Sequence, residues 1–237
     1  MATNKIYMES NSTTGLAVVT EIIEGERPIV RLNRTLFHPR GGGQPADEGR
    51  LVVDVGCDSA AYAGEAYVYN VQRETARVLD VRHAEHDEID HHVSSLAGLQ
   101  RGATVLMAVD REVRRRHARL HTAGHVLADV AVRLAPHLQP RQAHHWPGEA
   151  RVEFEGALSE PDTFALQLNA RLAEAVAANL PVRVLGGHGG PRSVQVGDGA
   201  SVGCGGTHIA STAELAGLSI RRVQAKKGVV RIGYDLI

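Results

Sequence analysis

Two short stretches of this chain hold the side chains that a metal ion takes as ligands: His121-Thr-Ala-Gly-His125 and, far downstream, Cys204-Gly-Gly-Thr-His208. Three imidazoles and one thiolate form a donor set of the kind zinc accepts in a tetrahedral site, and each pair stands at i and i+4. Taken alone, neither pair says much. The chain has 13 histidines, some of which fall at that spacing by chance, and a cysteine among glycines is most often a small buried residue. Found together, in a chain with only two cysteines, they favour a zinc site over both simpler readings. A zincin-type protease is disfavoured because it needs a glutamate after the first histidine as general base, and Thr122 stands there.

The elements that must position these ligands can be read from periodicity. From Asp110 to Leu134 there is no proline, and Leu120, Ala123, Val126, Leu127, Val130 and Leu134 recur at near-helical spacing, which predicts one long helix. Residues four apart on a helix share a face with Cβ atoms about 6 Å apart, so His121 and His125 can converge on one ion. Gly203, Gly205 and Gly206 predict a tight turn around Cys204 that brings the thiolate and His208 inward. Upstream, short β-branched runs at 16–23, 29–37, 50–55, 66–71, 77–81 and 104–109 are punctuated by glycine, proline and aspartate, and suggest a small β-barrel rather than βαβ units. Downstream we expect a strand at 150–155, a helix at 160–179 with Pro161 in its first turn and a strand at 182–185. The glycine-rich stretch 186–190 follows, then strands at 218–223 and 228–234. The expected class is α+β, with a β-barrel domain at 1–109 carrying a glycine-rich loop and a metal-binding domain at 110–237.

A hydrophobic content of 43% with 22% charged residues is ordinary for a globular protein with a real core. No apolar run is long enough for a transmembrane helix and the first residues are polar, so a cytoplasmic location is expected. In that compartment a Cys57–Cys204 disulfide is disfavoured, and Cys57 reads as a structural residue. The net charge of -1 conceals an uneven distribution. Arg111, Arg114, Arg115, Arg116 and Arg119 crowd the start of the long helix, and Arg221, Arg222, Lys226, Lys227 and Arg231 crowd the C-terminal part. Either cluster suits a phosphate backbone, and either suits a solvated face with intrachain ion pairs. In the loop 35–49, Gly41, Gly42 and Gly43 precede Gln44. Their backbone amides could approach a phosphate or ribose; without the Gly-Lys-Ser/Thr ending this is no Walker A loop, and a surface loop is an equal reading.

Four stretches together resemble the free-standing alanyl-tRNA editing proteins (AlaX), which are similar to the editing domain of alanyl-tRNA synthetase. They are Phe37 to Gly49, Asp110-Arg-Glu-Val-Arg running into Leu120 to Leu127, Cys204 to His208 continuing to Thr212-Ala-Glu-Leu, and Lys227 to Tyr234. They occur in the family's order and match its intermediate-length form. The resemblance implies a translation-factor-like β-barrel followed by an α+β editing domain of the threonyl/alanyl-tRNA synthetase second-additional-domain type. It also implies zinc held by His121, His125, Cys204 and His208, and hydrolysis of serine or glycine wrongly esterified to tRNA(Ala). Zinc could lower the pKa of a bound water, or orient the substrate amino group while a polar residue positions water; Thr122, Thr207 and Gln142 are the candidates for that residue. Gly41, Gly42, Gly43, Gln44, Arg114, Arg115, Lys226 and Lys227 are the candidates for substrate and tRNA contact. A zinc hydrolase of another aminoacyl-tRNA or small acyl ester, and a non-catalytic tRNA-binding module with structural zinc, are the competing readings.

The chain departs from the family pattern at several positions. His38 stands where tyrosine is usual, and Ser201-Val-Gly precedes Cys204 where a Glu-Leu pair is common. Gly124 replaces a bulkier residue between the two helical histidines, at a helix-propensity cost of about 1 kcal/mol. The segment that borders the substrate pocket in relatives carries His144, His145 and Trp146. Alanine is smaller than serine and cannot be excluded by size, so discrimination must come from a hydrogen bond to the serine hydroxyl. Oligomeric state does not follow from the sequence.

Overall fold

The computed structural model describes residues 2–53, 75–187 and 190–236; the expected strand at 66–71 and Cys57 lie outside the described residues. Residue contacts divide the chain into two compact units, one comprising Met1–Arg40 and Ala46–Arg114, the other Gly41–Pro45 and Arg115–Ile237.

The first unit contains β1 (Asn4–Lys5), β2 (Thr14–Ile23), β3 (Ile29–Leu32), β4 (Arg34–Thr35), β5 (Gly49–Val52), β6 (Thr75–His83), β7 (Ile89–Val93) and β8 (Thr104–Val109). Among the described residues, six of these close into a barrel in the order β2-β3-β7-β6-β5-β8, which bears out the expected barrel. Alternation puts Ala17, Val19, Val30, Leu32, Leu51, Val78, Val105 and Met107 inside while Leu16, Val18 and Leu79 stay exposed. Closure pairs every strand on both sides and removes the free edges at which sheets aggregate. Bulges at Val19/Glu21 and Val78/Asp80 supply the bends that closure needs. The run expected at 29–37 ends as a barrel strand at Leu32 and resumes as β4, which pairs in parallel with β1.

α1 (Arg111–Leu134) forms where the periodicity predicts it. Asp110 caps it, with its Oδ1 accepting the amides of Glu112 and Val113, both at 3.0 Å. Pro136 lies just beyond its end. The remaining elements of the second unit are β9 (Gln139–His144), β10 (Arg151–Glu155), α2 (Pro161–Ala177), β11 (Val182–Gly186), β12 (Arg192–Val196), β13 (Val202–Gly203), β14 (Leu218–Lys226) and β15 (Val229–Leu236). One sheet runs β14-β15-β10-β9 and a second runs β11-β12-β13. Pro161 occupies the first turn of α2, and Asn179 takes up a positive φ of 47° just past its end, where an asparagine tolerates the left-handed conformation. Leu120, Ala123, Leu127 and Ala131 of α1 share one core with Phe164, Leu168 and Leu172 of α2, Phe154 of β10, and Val230, Ile232 and Tyr234 of β15. Truncating a fully buried side chain there, such as Leu127, costs about 2–5 kcal/mol. Among the described residues no helix is long and apolar enough to cross a membrane.

Candidate metal centre

Within the second unit His121, His125, Cys204 and His208 come together, each offering one ligand atom, and all four atoms lie within 4.8 Å of one another. α1 supplies the two helical histidines on one face, with rings 5.1 Å apart and nearly parallel at 14°. The turn after β13 supplies the other two ligands. Cys204 Sγ lies 3.4 Å from His121 Nε2 and 3.2 Å from His208 Nε2. The Cys204 backbone is held from both sides, its amide donating to the Arg192 carbonyl at 3.0 Å and its carbonyl accepting the Arg192 guanidinium at 2.7 Å.

The second nitrogen of each buried ring fixes which nitrogen faces the cluster. His121 Nδ1 lies 2.6 Å from Gln44 Oε1, and an amide oxygen only accepts, so Nδ1 carries the proton and Nε2 presents its lone pair to the cluster. The Gln44 amide is itself oriented by Thr207, whose backbone N–H donates to Gln44 Oε1 at 3.0 Å and whose Oγ1 accepts Gln44 Nε2 at 2.9 Å. His208 Nδ1 meets Thr122 Oγ1 at 3.1 Å, which turns its Nε2 to Cys204. His125 is the exception: its Nε2 is buried with no hydrogen-bond partner among the described residues, and burial lowers its pKa from 6.5 to about 4. An unpartnered buried lone pair is costly, and a cation is the group that would satisfy it. Burial likewise raises the Cys204 thiol above its ordinary value, against weaker opposing pulls from the Gly206 amide and Arg192. The cluster could hold one metal ion.

Gly206 leaves room for this arrangement, since a Cβ there would sit 2.1 Å from His121 Cε1 and 2.7 Å from Gln44 Oε1. The glycine-rich loop forms a tight turn. Gly41 and Gln44 exchange both backbone hydrogen bonds, at 3.2 and 2.9 Å, around Gly42 and Gly43, whose φ values of 56° and 79° only glycine adopts freely. The amides of Gly41 and Gln44 are therefore occupied within the turn, and it is the Gln44 side chain that reaches the cluster.

A cavity of about 520 Å³ opens beside the ligands, its lining including His121, His125 and Cys204 as well as Ala128, Val132, Val194 and Val202. Gln142 lines it while donating to Glu153 at 2.7 Å, and Gly42, Gly124 and His145 line it too. Arg114 does not stand ready for a phosphate: it is buried in the first unit against Asp47, with which it makes an ion pair. Arg115 is exposed and makes a 3.5 Å contact with Glu214. Lys226 and Lys227 lie exposed at the β14–β15 hairpin. The sequence reading gave His145 and Tyr234 no individual role. His145 stacks on His121 at 4.5 Å and 20°, its Nδ1 lies 2.6 Å from the Tyr234 hydroxyl, and burial lowers its pKa to about 3. The presence of two histidines beside a tryptophan was the only signal that could have drawn attention to it.

The fold and site define a class: a barrel with an α+β unit that carries a three-histidine, one-cysteine cluster next to a cavity. No protein-family profile matches the chain. The chain is 33% identical to an alanine–tRNA ligase of a Parafrankia species over 87% of its own length but 25% of the ligase. It is 30% identical to the alanine–tRNA ligase of Archaeoglobus fulgidus over 98% of its length and 26% of that enzyme. It thus spans about a quarter of the length of these ligases. With the alanyl-tRNA editing protein AlaX-M of Methanosarcina barkeri it shares 32% identity, over 88% of this chain and 89% of that protein. The chain belongs to the AlaX-M family of alanyl-tRNA editing proteins.

Proposed function

We propose that this protein is a trans-editing hydrolase of the cytoplasm that removes serine, and glycine, from mischarged tRNA(Ala) at a zinc site. The second unit, in this reading, is the editing domain and the first its translation-factor-like barrel. The observation that carries the proposal is the convergence of His121, His125, Cys204 and His208 beside the cavity. Zn–N bonds of about 2.0–2.1 Å and Zn–S bonds of about 2.3 Å put tetrahedral donors roughly 3.3–3.6 Å apart. The Cys204–His121 and Cys204–His208 separations of 3.4 and 3.2 Å are a little shorter than the sulfur–nitrogen end of that range. When bound, zinc supplies a Lewis acid that polarises an ester carbonyl or acidifies water.

The chain's own residues hold this chemistry in place. Gln44 fixes the tautomer of His121 and Thr122 holds the orientation of the His208 ring, so Thr122, Thr207 and Gln44 act as positioning residues. Gln142, on the cavity wall, is the polar side chain free to turn toward a substrate carbonyl by giving up its bond to Glu153. The apolar side chains of Ala128, Val132, Val194 and Val202 line the cavity that the ester would enter and lower the polarity around it. Arg115, Lys226 and Lys227 offer exposed cationic contacts for the tRNA backbone.

The test is the rate of amino acid release from serine-charged tRNA(Ala) by the zinc-loaded protein, with alanine-charged tRNA and a Cys204→Ala variant as controls. Rapid release from the serine ester, lost in the variant, supports the reading. Release no faster than in buffer from both serine and glycine esters rejects it.

A further inference from the structure

Between the two helical ligands α1 has Gly124, and the structure gives this glycine a purpose. A Cβ at position 124 would lie 2.3 Å from His145 Cε1, 2.8 Å from its Nδ1 and 2.9 Å from the Tyr234 hydroxyl. The space a side chain would fill is taken by the His145 imidazole, which lies against the helix and stacks on the His121 ring. Two further bonds hold it there. Its backbone amide donates to the Gly43 carbonyl at 2.9 Å, and its Nδ1 lies 2.6 Å from the Tyr234 hydroxyl. That hydroxyl spends its proton on the Leu120 carbonyl at 2.9 Å, so it accepts from His145 Nδ1–H.

The consequence is a fixed tautomer. With the Nδ1 proton committed to Tyr234, the neutral ring carries an unprotonated Nε2, and the hydrogen bonds of the side chain among the described residues run through Nδ1. The ring lines the cavity alongside His121, His125 and Cys204, yet His145 is not one of the four converging ligands. We propose that His145 is a specificity-determining residue of the cavity, its Nε2 accepting the hydroxyl proton of a seryl group. This rests on the editing reading above and names the side chain that would tell serine from amino acids lacking a hydroxyl. Glycyl and alanyl groups have no hydroxyl to give this acceptor, a difference in binding that no size filter could supply for alanine.

The test measures binding of the non-hydrolysable 3′-serylamino and 3′-glycylamino analogues of adenosine to the zinc-loaded protein by calorimetry, in the wild type and in His145→Phe. Phenylalanine keeps the ring's size but has no acceptor. The wild type should prefer the seryl analogue by about tenfold to a hundredfold. That ratio should fall to within about threefold in His145→Phe, with zinc content unchanged by metal analysis. Gly124→Ala, which pushes the ring out of its seat, should lower the ratio in the same way. A ratio that survives in His145→Phe overturns the proposal, and so does equal weakening of both analogues or loss of zinc, which would make the ring structural or a ligand. Because binding is read without turnover, a wild type that prefers the seryl analogue but releases no amino acid from tRNA would reject hydrolysis and leave the His145 contact standing. A wild type without the preference rejects the contact whatever its activity.

Discussion

Replacing Asp47 with alanine should be among the most damaging single changes in the first unit. The Asp47 carboxylate is fully buried and accepts the His38 amide at 2.5 Å and Arg114 Nε at 2.9 Å to both oxygens, besides the ion pair with Arg114 Nη2. Arg114 is only 7% exposed, and its one other bond in this set runs from Nη2 to the Leu36 carbonyl at 2.6 Å. Without the carboxylate a guanidinium is left buried and almost uncompensated, a situation that costs about 3–5 kcal/mol. For a protein of this size each kcal/mol lowers Tm by roughly 2–4 °C, so the variant should melt roughly 6–20 °C below the wild type. Removing both charges at once, as Asp47→Leu with Arg114→Met, should restore most of the loss because no charge is then stranded. Urea and thermal unfolding of Asp47→Leu, Arg114→Met and the double variant measure this as a double-mutant cycle. An Asp47→Ala cost below about 1 kcal/mol, the range of an exposed pair, would refute the reasoning, as would a double variant as unstable as the sum of the singles.

Gly206→Ala should drive a Cβ into the His121 ring and the Gln44 amide, weakening zinc retention at least tenfold in a competition with a chromogenic chelator; unchanged retention would contradict the described packing. Chelation of the metal should lower the thermal stability of the wild type and leave Cys204→Ala nearly unaffected, which differential calorimetry reads directly. Neutralising Lys226, Lys227 and Arg115 should flatten the salt dependence of tRNA binding, whereas Arg114→Met should leave that slope as it is and lower stability instead. His91 is wholly buried in the barrel, its Nδ1 bonding the Val30 carbonyl and its Nε2 facing Thr35, and burial lowers its pKa from 6.5 to about 4. The neutral ring's contribution is thus complete above pH 6.5 and is lost as pH falls toward 4, amounting to about 3 kcal/mol. Urea melts at pH 7 and pH 4.5 should therefore show a steeper acid loss in the wild type than in His91→Gln, and parallel behaviour would count against it.

Legibility in the sequence followed how local each signal is. α1 was legible from end to end because its apolar stripe and its Asp110 cap are both local. β7 was hidden because the inward position between Ile89 and Val93 is a histidine, and its bonds to Thr35 and Val30 come from distant sequence. β9 carries Pro140 and polar residues and reads as a loop; it is an edge strand, where a proline is tolerated, and the register slips opposite Phe154 at that point. β12 is hard to read although Val194 and Val196 alternate there, since five residues beside a glycine-rich stretch give little to count. The ligand pairs stood out because metal chemistry restricts both residue type and spacing. Their supporting residues did not, for a glutamine, a threonine and a tyrosine become partners of imidazoles only through contacts between residues 77 to 89 positions apart. Arg114 shows the converse: a cluster of like charges in sequence concealed one member that folding buries.

The five residues Gly41–Pro45 belong by contact to the unit whose other residues begin at Arg115. Modules that are contiguous in sequence can be cut, transplanted or lost singly; this one cannot. A fragment starting at Arg111 would contain all four converging ligands but not Gln44, leaving His121 without its outer partner. During synthesis Gln44 leaves the ribosome well before the histidine it will hold, so their bond can form only after α1 has emerged. Inheritance of the His/Cys cluster with its outer partner is thereby tied to inheritance of a stretch of sequence that lies among the barrel strands.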